Sequence, residues 1–205
     1  MNKVAIIDYG MCNLDSVKRA VEECGGDPII TDQARDVKIA NRIILPGVGS
    51  FPDAMHNIKK RSLNKILSDQ VIGHQIPFLG ICLGMQLLAT KGWEVSETEG
   101  LGWIDGEVCR LEPTAQDTRI PHIGWNEVFF LRESPLFRGI PTGKDFFFVH
   151  SYHLNCHNEQ YVIARTPYCG HFVSAIQKDL IFGVQFHPEK SQRLGLQLLK
   201  NFLSI

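Results

Sequence analysis

Pro77-Phe78-Leu79-Gly80-Ile81-Cys82-Leu83-Gly84-Met85-Gln86-Leu87-Leu88-Ala89 decides the fold. An apolar run leads into Gly-Ile-Cys-Leu-Gly, and a helical pattern follows. This is the layout of a nucleophile elbow with cysteine in place of serine: a strand ends, the chain turns sharply and a helix begins. Gly80 and Gly84 suit the tight turn, where a side chain would collide with neighbouring elements. Cys82 sits beside the positive end of the helix starting near Leu83, which favours the reactive thiolate. The Leu83 N–H, left over by the helix start, can donate to an oxyanion formed when Cys82 attacks a carbonyl. Taken alone, the motif also suits an inert core cysteine in a Gly-rich turn.

Working outward, the first ninety residues alternate strands and helices. Lys3 to Asp8, Asp27 to Thr31, Arg42 to Leu45 and Pro77 to Ile81 read as strands. Helices are expected from Leu14 to about Cys24 (capped by Asn13 and ended by Gly25-Gly26), from about Pro52, and over roughly Leu63 to Val71. This order predicts an α/β fold: a parallel sheet with helices on both faces. After Gly92 the pattern changes. Glu107 to Leu111, Glu127 to Leu131, Phe146 to Val149, Tyr161 to Arg165, His171 to Gln177 and Leu180 to Phe186 read as strands of a mixed or antiparallel extension. A last helix runs from about Ser191 to Leu203, with Leu194, Leu198 and Leu199 as its buried stripe.

The 205 residues fit one domain, 1–205. With 21 basic and 22 acidic residues the net charge is −1, and no basic stripe points to nucleic acid or an anionic membrane. The first apolar run ends at Asp8 and is too short for a signal peptide or a membrane span, so a cytoplasmic location is expected. Six cysteines, none in a Cys-x-x-Cys pair, read as reduced thiols.

A second motif completes the chemistry. In Phe182-Gly183-Val184-Gln185-Phe186-His187-Pro188-Glu189-Lys190-Ser191 a strand delivers His187, and Pro188 keeps the next residue extended. Residues two apart then point the same way, so His187 and Glu189 converge. A thiol hydrolase needs such a pair: His187 as acid–base for Cys82, Glu189 to orient the imidazole. A lone His-x-Glu would read as a solvated strand end; paired with the elbow it reads as a triad. Pro46-Gly47-Val48-Gly49-Ser50-Phe51 follows the third strand at the sheet edge that carries the elbow. Its two glycines leave an N–H free to rotate inward, although a plain Gly-rich turn fits equally well.

Asp8-Tyr9-Gly10-Met11, Pro46-Gly47-Val48-Gly49, Gly80-Ile81-Cys82-Leu83-Gly84-Met85-Gln86, Pro121-His122-Ile123-Gly124-Trp125-Asn126, His150-Ser151-Tyr152 and Phe186-His187-Pro188-Glu189-Lys190-Ser191 together resemble the class I (triad) glutamine amidotransferases. More narrowly they are similar to the glutaminase subunits serving imidazole glycerol phosphate synthases in histidine biosynthesis. The resemblance implies a flavodoxin-like sheet and hydrolysis of glutamine through Cys82, His187 and Glu189. It implies an oxyanion hole from Leu83 and the Gly47-Val48-Gly49 loop, with Gln86, Ser151 and Tyr152 holding the substrate. It implies passage of ammonia to a (β/α)8-barrel cyclase subunit in a heterodimer, with His122, Trp125, Asn126 and Lys190 at or near that interface. Residues alone would place Trp125 in the core. Two positions depart from the family's pattern: Cys12 stands where a glycine is usual, on a loop expected to face the partner, and Tyr152-His153 replaces paired tyrosines. Relatives can feed other synthases, such as those building surface sugars. Two further alternatives are another thiol hydrolase and a non-catalytic binding subunit. No cofactor is expected. His150, His153, Cys156 and His157 lack the spacing and the second ligand pair of a zinc site, and Gly47-x-Gly49 lacks the rest of a dinucleotide fingerprint.

Overall fold

Two apolar layers enclose one twisted sheet, in a computed structural model that describes residues 2–205. The strands β1 (Lys3–Ile7), β3 (Arg42–Leu45) and β4 (Phe78–Ile81) are almost wholly apolar because both of their faces are covered. Ala5, Ile7, Ile43, Leu45 and Phe78 enter one core cluster; Val4, Ile6, Ile44, Leu79 and Ile81 enter the other. On the first side lie α3 (Phe51–Lys60) and α4 (Leu63–Ser68), through Ala54, Met55, Ile58, Leu63 and Leu67. On the second lie α1 (Leu14–Glu23) and α6 (Gln192–Leu203), through Val17, Ala20, Val21, Leu198, Leu199 and Phe202. Leu194 is only partly buried beside them.

With β2 (Asp27–Thr31), β8 (His122–Phe130), β9 (Lys144–His150), β11 (Val162–Thr166), β12 (Phe172–Lys178) and β13 (Ile181–Val184), the main sheet has nine strands in the order β2-β1-β3-β4-β13-β12-β11-β8-β9. From β2 to β13 every pairing is parallel; from β13 to β9 every pairing is antiparallel. The expected parallel half and antiparallel extension are therefore present.

Several local expectations differ from what is seen. The strand expected at Glu107 to Leu111 is β7 (Ile104–Arg110), and it leaves the main sheet. It joins a second sheet in the order β10-β7-β5-β6, with β5 (Ala89–Gly92), β6 (Thr98–Glu99) and β10 (Tyr152–Cys156). The helix after the elbow, α5, covers only Leu83–Gln86. It stops because the Leu88 carbonyl is taken by the N–H groups of Trp103 and Ile104 at 3.0 and 2.9 Å, which turns the chain into β5. The helix expected to Val71 ends as α4 at Ser68 and continues as one π turn over Asp69–Gly73. Asn13 holds the N-cap position of α1, yet its side chain makes no capping bond. A short helix, α2 (Ala34–Lys38), was not foreseen.

Candidate active site

β4 and β13 are parallel neighbours, with Ile81 opposite Val184. Their carboxyl ends therefore deliver Cys82 and His187 side by side, and the Cys82 N–H bonds the Val184 carbonyl at 2.8 Å. Cys82 adopts φ 53°, ψ −111°, a backbone state that L-residues avoid and that a nucleophile elbow enforces. The flanking glycines are required by contact. A Cβ on Gly84 would lie 1.7 Å from the Leu45 carbonyl oxygen, and one on Gly80 would lie 2.6 Å from that of Gly84.

His187 and Glu189 do converge, by a different route from the expected extended chain. Pro188–Lys190 forms a 3₁₀ turn that folds Glu189 back under the imidazole. His187 Nδ1 bonds Glu189 Oε1 at 2.7 Å, and both side chains are buried. His187 Nε2 has no hydrogen-bond partner. The Cys82 sulfur acts on this imidazole from nearby. Burial disfavours the His187 cation, but Cys82 and Glu189 outweigh it and hold the imidazole up at about 10.

Cys82, Leu83, Val48, Gly49, Gln86, Ser151 and Tyr152 line one cavity of about 240 Å³, with Glu94, Val149 and His150. Gly47 lies beneath the wall: a Cβ there would stand 2.0 Å from Tyr9 Oη. The Val48 N–H is not turned to Cys82. It donates to the Met11 carbonyl at 3.0 Å. Gln86 Nε2 donates to the Tyr152 carbonyl at 2.8 Å and to Gln185 Oε1 at 3.0 Å, and Gln185 Nε2 reaches the Cys82 sulfur at 3.6 Å.

The residues assigned to a partner interface divide into three groups. Trp125 is 46% exposed and not a core aromatic. Its ring meets the Phe147 ring at 5.9 Å, and Lys190 Nζ lies 6.0 Å from the centre of the Phe147 ring, so Trp125 and Lys190 share one outer patch. Strand alternation sends His122 and Asn126 to the opposite face of β8, where His122 is buried and bonded to Asn126. Cys12 is turned inward, its thiol 3.3 Å from the Pro46 carbonyl, and burial, the largest influence, pushes it up to about 11. Gln185 and Glu94 were not singled out from sequence. A glutamine inside the apolar run Phe182 to Phe186 was the available signal for the first; Glu94 sits in a loop that carries none. Among the described residues no group of three or more His, Cys, Asp or Glu could hold a metal.

A cysteine on an elbow, with an imidazole–carboxylate pair at the neighbouring strand end and a cavity beside them, is the arrangement of a triad thiol hydrolase on an α/β sheet. The chain belongs to the glutamine amidotransferase class-I family, whose sequence profile matches residues 5–205. It is 46% identical to the imidazole glycerol phosphate synthase subunit HisH 1 of Campylobacter jejuni (strain RM1221), over 98% of this chain and 100% of that protein. It is 46% identical to the HisH subunit of Moorella thermoacetica, over 98% of this chain and 94% of that one. Among solved structures, a glutamine amidotransferase superposes with TM-score 0.75 at 16% identity, over 98% of this chain and 99% of that one. PurLQS from Thermotoga maritima superposes with TM-score 0.70 at 16% identity, over 98% and 97%. These two likenesses concern the fold.

Proposed function

We propose that this chain hydrolyses glutamine to glutamate and ammonia, and passes the ammonia to a (β/α)8-barrel cyclase subunit of an imidazole glycerol phosphate synthase in histidine biosynthesis. The observation that carries the chemistry is His187 held at Nδ1 by Glu189, its Nε2 without a partner among the described residues and the imidazole raised by Cys82. His187, held up at about 10, carries the proton of Cys82 as an imidazolium, and the Cys82 sulfur attacks the side-chain amide carbon. His187 then protonates the departing nitrogen, which leaves as ammonia, and a glutamyl thioester remains. Water, deprotonated by His187, attacks the thioester; glutamate leaves and the thiol is restored. Glu189 keeps the imidazole oriented and stabilises its charged form. Gln86, Ser151 and Tyr152 hold the amino-acid end, and the Glu94 carboxylate at the cavity wall suits the α-ammonium.

The oxyanion needs donors where the carbonyl oxygen moves. The Leu83 N–H, first in α5, has no intrahelical acceptor and serves as one. The Val48 N–H serves as the second only after leaving Met11, and Gly47 and Gly49 give the loop the freedom to turn. The free chain is thus a restrained enzyme, and the cyclase releases the loop by docking in a cytoplasmic heterodimer. Trp125 and Lys190 on the outer patch would lie at that contact, with His122 and Asn126 behind them on the inner face of β8 and Cys12 turned inward at the Pro46 loop. A second reading keeps the chemistry and changes the acceptor to another synthase; Cys12 and His153, which depart from the family's pattern, favour it.

The experiment is glutamate release by the isolated chain, then with a barrel cyclase subunit and its nucleotide ligand, with Cys82→Ala as the blank. Strong stimulation that vanishes in the variant is expected. Turnover indifferent to the cyclase would move the protein to another synthase. No turnover in either case, with the fold intact, would overturn the enzyme reading.

A further inference from the structure

The cavity wall opposite Cys82 is tied to a buried polar file that the triad does not use. Asn126 Nδ2 lies 3.2 Å from His122 Nε2. His122 Nδ1 lies 3.0 Å from His150 Nε2, and His150 Nδ1 lies 2.9 Å from the Tyr152 carbonyl oxygen. That oxygen also accepts from Gln86, which bonds Gln185, which reaches Cys82. We propose that His122 and His150 are positioning residues for the glutamine site, forming with Asn126 a hydrogen-bonded file of one polarity that fixes the Tyr152 carbonyl and, through Gln86 and Gln185, the Cys82 sulfur. The proposal rests on the glutaminase reading for its substrate, but not for its geometry.

The polarity follows from chemistry. A carbonyl oxygen only accepts, so His150 Nδ1 carries hydrogen. In a neutral ring Nε2 is then bare, so His122 Nδ1 must donate to it. His122 Nε2 is bare in turn and must accept from the Asn126 amide nitrogen. Asn126 agrees independently, because its Oδ1 accepts from the Glu127 N–H at 2.8 Å, which leaves Nδ2 for His122. On the other arm the same carbonyl requires the nitrogen of Gln86. Its second hydrogen requires the oxygen of Gln185, and the nitrogen of Gln185 is left for the sulfur. Every amide and tautomer in the file is therefore set by its neighbours.

Both rings stay neutral, as the file requires. Burial is the main cause, pushing His150 down to about 3 and His122 down to about 4. The rings are also wedged. His122 stacks on Tyr168 at 4.0 Å between centroids and lies 5.0 Å from Phe148, and His150 meets Phe172 at 4.7 Å. Imidazoles that neither charge nor turn can hold an oxygen in place. The oxygen they hold belongs to the β9–β10 corner, His150-Ser151-Tyr152, which forms one wall of the cavity.

The test begins with ¹⁵N spectra of the imidazoles in the unaltered chain at neutral pH. Both His122 and His150 should be neutral Nδ1–H tautomers; an Nε2–H tautomer for either would overturn the file. Asn126→Asp replaces the donor by an acceptor and should move His122 to the Nε2–H or the charged form, whereas an unchanged His122 would count against the link. His150→Phe keeps a ring in the aromatic box, and should raise the KM for glutamine about tenfold, the loss of one hydrogen bond, with little change in kcat. An unchanged KM would refute the positioning role. Gln185→Met should slow alkylation of Cys82 by iodoacetamide, followed site by site by mass spectrometry; an unaltered rate would remove the Cys82 arm. Spectra and alkylation need no glutamine turnover. Failure of the glutaminase reading would leave them intact, whereas a wrong tautomer would refute the file whatever the activity.

Discussion

Cys82, His187 and Glu189 divide one task among three local environments. The elbow strains Cys82 into a left-handed turn geometry, burial hides the imidazole from water, and a single bond of 2.7 Å orients it. Glu189→Gln would keep the shape and lose the charge that stabilises the imidazolium. It should lower kcat by about 10²–10³-fold, within the range general acid–base catalysis supplies, as read by glutamate release with saturating glutamine. Cys82 and Glu189, which together raise His187, predict a pH effect on folding. His187 is raised from 6.5 to about 10, so the folded state favours its charged form. That stabilisation is complete below about pH 6.5 and is lost as pH rises through about 10. Urea melts from neutral to alkaline pH should show the unaltered chain losing stability more steeply than Glu189→Gln. Parallel slopes would contradict the ion pair.

At the scale of elements, the elbow and the Pro46 to Gly49 loop lie side by side at the cavity, and each depends on close backbone approach. Gly84 packs α5 against the end of β3, where a methyl group would meet the Leu45 carbonyl oxygen at 1.7 Å. Gly84→Ala should cost about 3 kcal/mol, at the upper end for overpacking, as a lower urea midpoint with unchanged slope. The Val48 N–H ties the loop to the Met11 carbonyl, and the Cys12 thiol ties the Pro46 carbonyl beside it. Val48→Pro removes both the bond to Met11 and the proposed oxyanion donor. The cyclase-stimulated rate should fall by about 10²–10³-fold, the worth of one oxyanion donor, while the partner still binds. Retained stimulation would show that another group completes the oxyanion hole.

For the molecule as a whole, the long sheet closes upon its own site. β9 is the last strand in hydrogen-bond order, yet its Phe147 carbonyl accepts the His187 N–H at 2.9 Å and its Phe147 N–H bonds Ser191 Oγ at 3.0 Å. This brings the outer patch of Trp125, Phe147 and Lys190 next to the turn that carries Glu189, so a partner seated there would touch the catalytic segment. Trp125→Ala should raise the Kd for the cyclase about 30-fold, as expected for an aromatic interface anchor, measured by titration calorimetry. Unchanged affinity would move the contact elsewhere.

Much of this was legible from residues because it depends on short-range order. The apolar runs of β1, β3 and β4 announced strands covered on both faces, and Gly80-x-Cys82-x-Gly84 announced the elbow, since backbone contact there admits only glycine. His187 and Glu189 were identifiable as a pair, although a 3₁₀ turn and not an extended chain joins them. The inward turn of Cys12, the burial of His122 and the separation of Trp125 from Asn126 required knowing which face of β8 meets the core. The transfer of β7 to a second sheet beside β10, and the file from Asn126 to Cys82, join segments far apart along the chain. Local pattern determines which residues can form an element and which face it buries. Which elements meet, and therefore which buried donor finds which acceptor, is decided only when the whole chain packs.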